Sequence, residues 1–132
     1  MTAEPIVQGF EIVLDCDMVE AEERTRAALA AEGFGVLTEI DVAATLRAKI
    51  GVERADLKIL EACNPVLANE VLTRDDSLSL MLPCNVVLDA VASGTRVRAI
   101  DPVSVLGAPE LDDIAADAGA RLGRVISALG SA

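Results

Sequence analysis

The sequence predicts an α+β domain, a mainly antiparallel sheet with helices packed on one of its faces. Three observations carry that prediction. Short runs of alternating apolar residues recur along the chain, and turn residues separate them. Stretches with helical periodicity lie between those runs. Two of the runs, 78–88 and 96–100, are joined by Ala92-Ser93-Gly94-Thr95, a hairpin turn that makes its flanking strands antiparallel neighbours. The 132 residues suit one compact domain over 1–132.

Residues 6–14 alternate, with Phe10, Ile12 and Leu14 on one face, and are expected to form the first strand. Asp15 or Asp17 caps a helix over 18–32. Its first turns carry Glu20, Glu22 and Glu23, where the helix dipole favours acids. Met18, Ala21, Thr25, Ala28 and Leu29 form its inner stripe, and Gly33 stops it. The second strand runs from Phe34 to Ile40, with Phe34, Val36, Thr38 and Ile40 on one side and Leu37 on the other. Asp41 caps a short helix to about Lys49, closed by Gly51. Leu57–Ala62 is the third strand. Asn64-Pro65 then starts a helix over about 65–72, with Asn as cap and Pro in the first turn.

Leu78–Leu88 reads as a long strand with Leu78, Leu80, Leu82, Cys84, Val86 and Leu88 in one phase. Pro83 cannot donate to a ladder, so this strand is expected at an edge or bulged. Arg96–Ile100 returns from the hairpin, 103–109 is a loop, and the last helix covers about 110–129. Leu111, Ile114, Ala115, Ala118, Leu122, Val125, Ile126 and Leu129 make its stripe. That stripe is core, and it could also form a dimer contact. Gly119 and Gly123 permit close packing. The order is βαβαβαββα.

Composition narrows function. Hydrophobic residues make up 52% of the chain, enough for a core, but Phe10 and Phe34 are its only aromatics. No aromatic platform for single-stranded nucleic acid can be built from them. The net charge is −11, from 22 acids against 11 bases, without a basic patch for phosphates. Neither nucleic acid nor an anionic membrane is an expected partner. The absence of histidine removes Ser-His-Asp and Cys-His catalysis and the histidine-based metal sites. Phosphate-loop and dinucleotide fingerprints are missing too. The N-terminus lacks the basic start and apolar run of a signal peptide, and no apolar run is long enough to span a bilayer. The reading is a cytoplasmic protein, more a binding domain than an enzyme, with Cys16, Cys63 and Cys84 as thiols.

Two segments pair a thiol with an amide, Ala62-Cys63-Asn64-Pro65 and Leu82-Pro83-Cys84-Asn85-Val86. Cys63 stands before a helix N-terminus, whose amides stabilise a thiolate. Cys63 and Cys84 could bind a soft metal, form a reversible disulfide or carry a sulfur adduct. Equally, each could be a small buried hydrophobe. Two thiols alone make a poor zinc site, unless a dimer brings four together. Monovalent copper held by Cys63, Cys84 and either Met81 or Met18 fits the donor set better. Asn64 could hold a ligand or cap a helix, and Asn85 could hold a ligand or satisfy backbone beside Pro83. Glu39, with Asp41, could bind a cation, face solvent, or pair with Arg47 or Lys58. Asp101-Pro102 ends a strand, and Cys16, between two aspartates, is incidental. The candidate ligand-binding set is Cys63, Asn64, Cys84, Asn85 and Glu39.

Gly33-Phe34-Gly35-Val36-Leu37-Thr38-Glu39-Ile40-Asp41, Ile59-Leu60-Glu61-Ala62-Cys63-Asn64-Pro65, Leu82-Pro83-Cys84-Asn85-Val86 and Ala99-Ile100-Asp101-Pro102 together resemble the domain of unknown function 302 family. The resemblance spans nearly the whole chain. It implies a compact α+β fold, assembled as a homodimer, and no established activity. The chain departs from the family pattern at Glu61, where glycine is usual. A carboxylate there, two residues from Cys63, is expected to raise a thiol pKa or to add a hard ligand. Three functions follow: a module binding a small ligand, soft metal or sulfur species at the Cys-Asn motifs; a thiol-dependent redox or sulfur-transfer protein using Cys63 and Cys84; or a homodimeric interaction module without a small-molecule site.

Overall fold

Asp17, Asp41 and Asn64 open the first three long helices, each by accepting a backbone N–H with its side chain. The computed structural model describes residues 1–131. Its elements are β1 (Glu4–Ile6), β2 (Gly9–Leu14), α1 (Met18–Ala31), β3 (Gly35–Asp41), α2 (Val42–Ile50), β4 (Leu57–Cys63), α3 (Pro65–Arg74), β5 (Cys84–Val91), β6 (Gly94–Ile100), α4 (Pro102–Val105) and α5 (Asp112–Gly130). Short 3-10 segments cover Asp76–Met81 and Pro109–Leu111. All strand pairs are antiparallel, in the order β1-β2-β6-β5-β4-β3. The α+β class and the antiparallel sheet agree with the expectation from sequence.

Four local expectations are corrected. The first strand is a hairpin: β1 turns back at Val7-Gln8, and Ile6 pairs with Gly9. Glycine is required there, because a Cβ at Gly9 would run into the carbonyl of Ala99 on the neighbouring strand. Residues 78–88 are not one strand. Asp76–Met81 coils as a 3-10 turn, and β5 begins at Cys84, after Pro83. Nor is β5 at an edge, since β4 and β6 flank it. A strand bonded on both sides needs every N–H, so proline is left outside it. In β3 a bulge between Val36 and Thr38 leaves Leu37 as the extra residue, 68% exposed, and reverses the phase beyond it. Val36 and Thr38 therefore lie on opposite faces. Finally, the 103–109 loop contains one turn of helix, α4, capped by Asp101.

Register decides which residues meet. Paired residues of an antiparallel sheet share a face. On the covered face one row runs Val36–Ala62–Cys84, the next Glu39–Leu60–Val86–Ala99–Phe10, and the third Asp41–Lys58–Leu88–Val97–Ile12. The middle of this face is buried under α1 and α5, through Ala21, Thr25 and Leu29 of α1 and Leu122, Val125, Ile126 and Leu129 of α5. A smaller cluster of Leu67, Val71, Leu111, Ile114 and Ala118 joins α3 to α5. Every residue of the expected α5 stripe is buried.

The other face lies away from α1 and α5. Its rows are Thr38–Glu61–Asn85, Ile40–Ile59–Val87–Arg98–Glu11 and Leu57–Asp89–Arg96–Val13. Asp89 is buried and bonded twice by the Arg96 guanidinium, at 3.1 and 2.6 Å. A bidentate pair of this kind fixes both geometry and register.

Gly9 gives the sharpest test of this register. Gly9→Ala should lower unfolding stability by about 2 kcal/mol or more. Gly35→Ala, where an added methyl meets nothing within 4 Å, should be close to neutral by the same chemical denaturation. Equal effects would refute the close approach of β2 to β6.

Candidate functional site

The end of β4 and the start of β5 meet the first turn of α3, and there the cysteine motifs converge. Cys63 is the last residue of β4, paired with Gly35 of β3. Cys84 is the first residue of β5, paired with Ala62 of β4. The two thiols therefore stand on adjacent strands, one residue out of register. Both line an apolar cavity of about 50 Å³. Its walls come from Phe34, from Leu67 and Ala68 of α3, and from Ile114 and Ala118 of α5. Met81-Leu82-Pro83 and the α4 region complete them. Asn64 is the only lining residue that is neither apolar nor sulfur-bearing.

Asn64 is bound into the structure on both sides. Its Oδ1 accepts from the Leu67 N–H at 3.2 Å, capping α3. Its Nδ2 donates to the carbonyl of Glu32 at 3.4 Å. That carbonyl also accepts from Arg121 of α5 at 3.1 Å, and the Glu32 carboxylate takes Arg124. Asn64 is 8% exposed, so the cap and this junction account for its amide.

The Cys84 thiol is pushed up to about 11, first by burial and then by the nearby Cys63. It is a protonated thiol at neutral pH. Burial and Cys63 account for the shift, and Glu61, which pairs with Asn85 on the face away from α1 and α5, is not among its causes.

Asn85 and Glu39 do not join this site. Asn85 follows Cys84 in a strand, so alternation turns it to the opposite face, where it is exposed. Glu39 lies on the covered face beyond the β3 bulge, in a cluster with α1. Arg26 reaches it at 2.6 Å and Lys58 at 3.7 Å, and both also bind Glu22. Burial opposes ionisation of Glu22, but hydrogen bonds from Lys58 and Arg26 prevail and hold its carboxyl below the usual range. Asp41 is the α2 cap, and Arg47 takes no part. Cys16 lies at the far end of the sheet, beside Arg24, with its thiol held up by burial and by Glu20.

Sequence reasoning missed the cover of the cavity, Asp76–Pro83, because Leu78, Leu80 and Leu82 alternate as a strand would. Pro83 was the signal against that reading. All hydrogen bonds within 76–82 among the described residues are local. Leu78 and Leu82 hold the segment down against the α3–α5 cluster, while Leu80 is 88% exposed. Of the two methionines named from sequence, Met81 lines the cavity that both cysteines line and Met18 does not. Among the described residues no three Cys, Asp, Glu or His groups are placed to hold a metal ion. A soft site here would need the methionine. No helix among them is long and apolar enough to cross a membrane.

The fold and this cavity define a class: a six-stranded antiparallel α+β domain with a dry, sulfur-lined pocket at one sheet end. The chain belongs to the family described as Domain of unknown function DUF302, whose pattern matches residues 10–129. It is similar to the crystal structure of an uncharacterized conserved protein DUF302 from Bacillus stearothermophilus, with 32% identity and a TM-score of 0.80. The likeness covers 88% of this chain and 93% of that one. No match is found among curated proteins.

Two outcomes test the site's construction. Asn64→Ala should cost about 1–2 kcal/mol, whereas Asn64→Asp, which keeps the cap, should cost less. A free thiol ionises near 9.0 and folded Cys84 near 11, so between these values the unfolded chain releases a proton that the folded chain keeps. Stability is then complete below that window and falls as pH rises through it. Denaturation midpoints should drop less steeply across it in Cys84→Ala than in the parent; parallel curves would refute the buried thiol.

Proposed function

We propose that this protein is a small binding module whose soft ligand, monovalent copper or a sulfur adduct, is held in the cavity at Cys63 and Cys84. One observation carries the reading. Two cysteines and a methionine line the same apolar cavity, and the one side-chain oxygen among its described lining residues, Asn64 Oδ1, is taken by the Leu67 N–H. Thiolate and thioether donors suit a soft, low-charge ion, and a dry pocket suits such an ion better than a hydrated divalent one. The raised Cys84 thiol adds a condition. Metal must displace its proton, so affinity should climb with pH. Adjacency of the thiols also supports a second reading, a dithiol that is oxidised to a disulfide. Two thiols would lose two protons and two electrons to a partner such as oxidised glutathione. Burial of Cys84 as a thiol counts against fast exchange. We read the assembly as a homodimer, following the family resemblance.

The deciding measurement is a native mass spectrum of protein purified without oxygen or added metal, before and after titration with cuprous ion. The expected result is a copper or sulfur increment that disappears in Cys63→Ser. It should be accompanied by a melting temperature that rises with cuprous concentration and rises further at higher pH. A bare mass with no thermal shift at any concentration would overturn the binding reading. A mass short by two hydrogens would place the thiols in the redox reading. The same spectrum counts the chains.

A further inference from the structure

On the face away from α1 and α5, three polar side chains with unused hydrogen-bonding capacity lie on neighbouring strands. Glu61 of β4 is half-buried, yet among the described residues it has no ion pair; the other charged residue of its strand, Lys58, binds Glu22 and Glu39 on the opposite face. Asn85, its register partner on β5, is exposed. On β6, Arg98 stands opposite Val87, two residues along from Asn85. Arg98 forms an ion pair with Glu11, whose carboxylate is 3.4 Å from its Nε, yet that buried nitrogen makes no hydrogen bond. The terminal amino groups of Arg98 have no hydrogen-bond partner among the described residues. Arg96, by contrast, is bound at both ends to Asp89.

Two adjoining grooves run across these residues. One, of about 350 Å³, contains Glu61 and Asn85, and the other, of about 560 Å³, contains Asn85 and Arg98. Asn85 and Ile100 belong to both, and Val87 adds apolar floor. Strand spacing of about 4.8 Å and a two-residue step of about 6.8 Å put the Cα atoms of Glu61 and Arg98 on the order of 12 Å apart. Between the two charged ends lies room for a short molecule bearing both charges.

We propose that this face carries a binding site for a small zwitterion of the α-amino acid class, with Glu61 receiving the ammonium, Arg98 the carboxylate, and Asn85 bonding between them. Charge complementarity selects the ligand. A plain anion would meet both Glu61 and Glu11, whereas a molecule carrying both signs can set its ammonium at Glu61 and its carboxylate at the terminal amino groups of Arg98, beside the Glu11 pair. Arg98 can grip a carboxylate through two parallel N–H groups, as a lysine could not. Ile100 and Val87 suit an apolar side chain. The Glu61 groove adjoins the thiol cavity, sharing Met81, Leu82, Pro83, Ile100 and Val105 with it, but Glu61, Asn85 and Arg98 do not line that cavity.

Titration of the full chain with glycine and leucine, followed by amide chemical shifts, tests this. Saturable shifts are expected around 61, 85 and 98. Leucinamide lacks the carboxylate and N-acetylleucine lacks the ammonium; each should bind at least about tenfold more weakly. Arg98→Gln and Glu61→Gln should each weaken leucine binding by a similar factor with an unchanged melting temperature, and Cys63→Ser should bind leucine as the parent does. Absence of saturation with both amino acids would overturn the proposal. So would capped analogues that bind as tightly as leucine, or an Arg98→Gln protein that binds unchanged.

Discussion

The missing N–H of Pro83 is the constraint on which the arrangement of both faces depends. β5 is bonded on both sides, so it can only begin after that residue. Once it begins at Cys84, two-residue alternation assigns the thiol to the helix side and Asn85 to the open side. A slip of one residue would exchange them, putting an amide into the core and a thiol into solvent. The rows through Leu60–Val86–Ala99 and Lys58–Leu88–Val97 prevent that slip, because their apolar residues belong under α1 and α5. The same consecutive residues, Cys-Asn, thus serve two separate surfaces.

At residues 63 and 64 the same dipeptide works differently, because the strand ends there. Asn64 leaves the ladder, caps α3 and reaches the Glu32 carbonyl, where Arg121 also arrives. One carbonyl at the end of α1 therefore ties α3 and α5 together, and the cavity lies inside that tie. Its cover is held far more lightly. Segment 76–83 rests on Leu78 and Leu82 with only local hydrogen bonds, the pattern of a low-stability segment on a rigid base. Entry to the cavity is easiest there.

Much of this was legible in the residues themselves. Asp17, Asp41 and Asn64 act as caps, Gly51 closes α2 in the left-handed conformation at φ 69°, and the α5 stripe is buried as its periodicity requires. What eluded the sequence depends on contacts between distant segments. Leu37 looks like any strand residue, and only pairing with β4 makes it a bulge. Leu78, Leu80 and Leu82 alternate convincingly, but packing against α3 and α5 favours a coil over an extension that Pro83 would leave half-bonded. The nearness of Cys63 and Cys84 needed strand order, which no local pattern encodes. Glu39 needed both the bulge and the position of α1 before its partners could be named.

Glu61 shows how register adds neighbours that the chain does not reveal. Along the chain it stands two residues from Cys63. Across the sheet it pairs with Thr38 and Asn85, on the face away from α1 and α5. Cys84, one strand over, keeps its proton because it is buried and stands near Cys63. A chain with twice as many acids as bases would be expected to use every guanidinium on its sheet. Arg96 is used so, yet the Arg98 pair with Glu11 makes no hydrogen bond at Nε, while Glu61, two strands away, has no ion pair among the described residues. Two opposite charges left apart across an amide on one open face make a surface suited to a ligand that carries both.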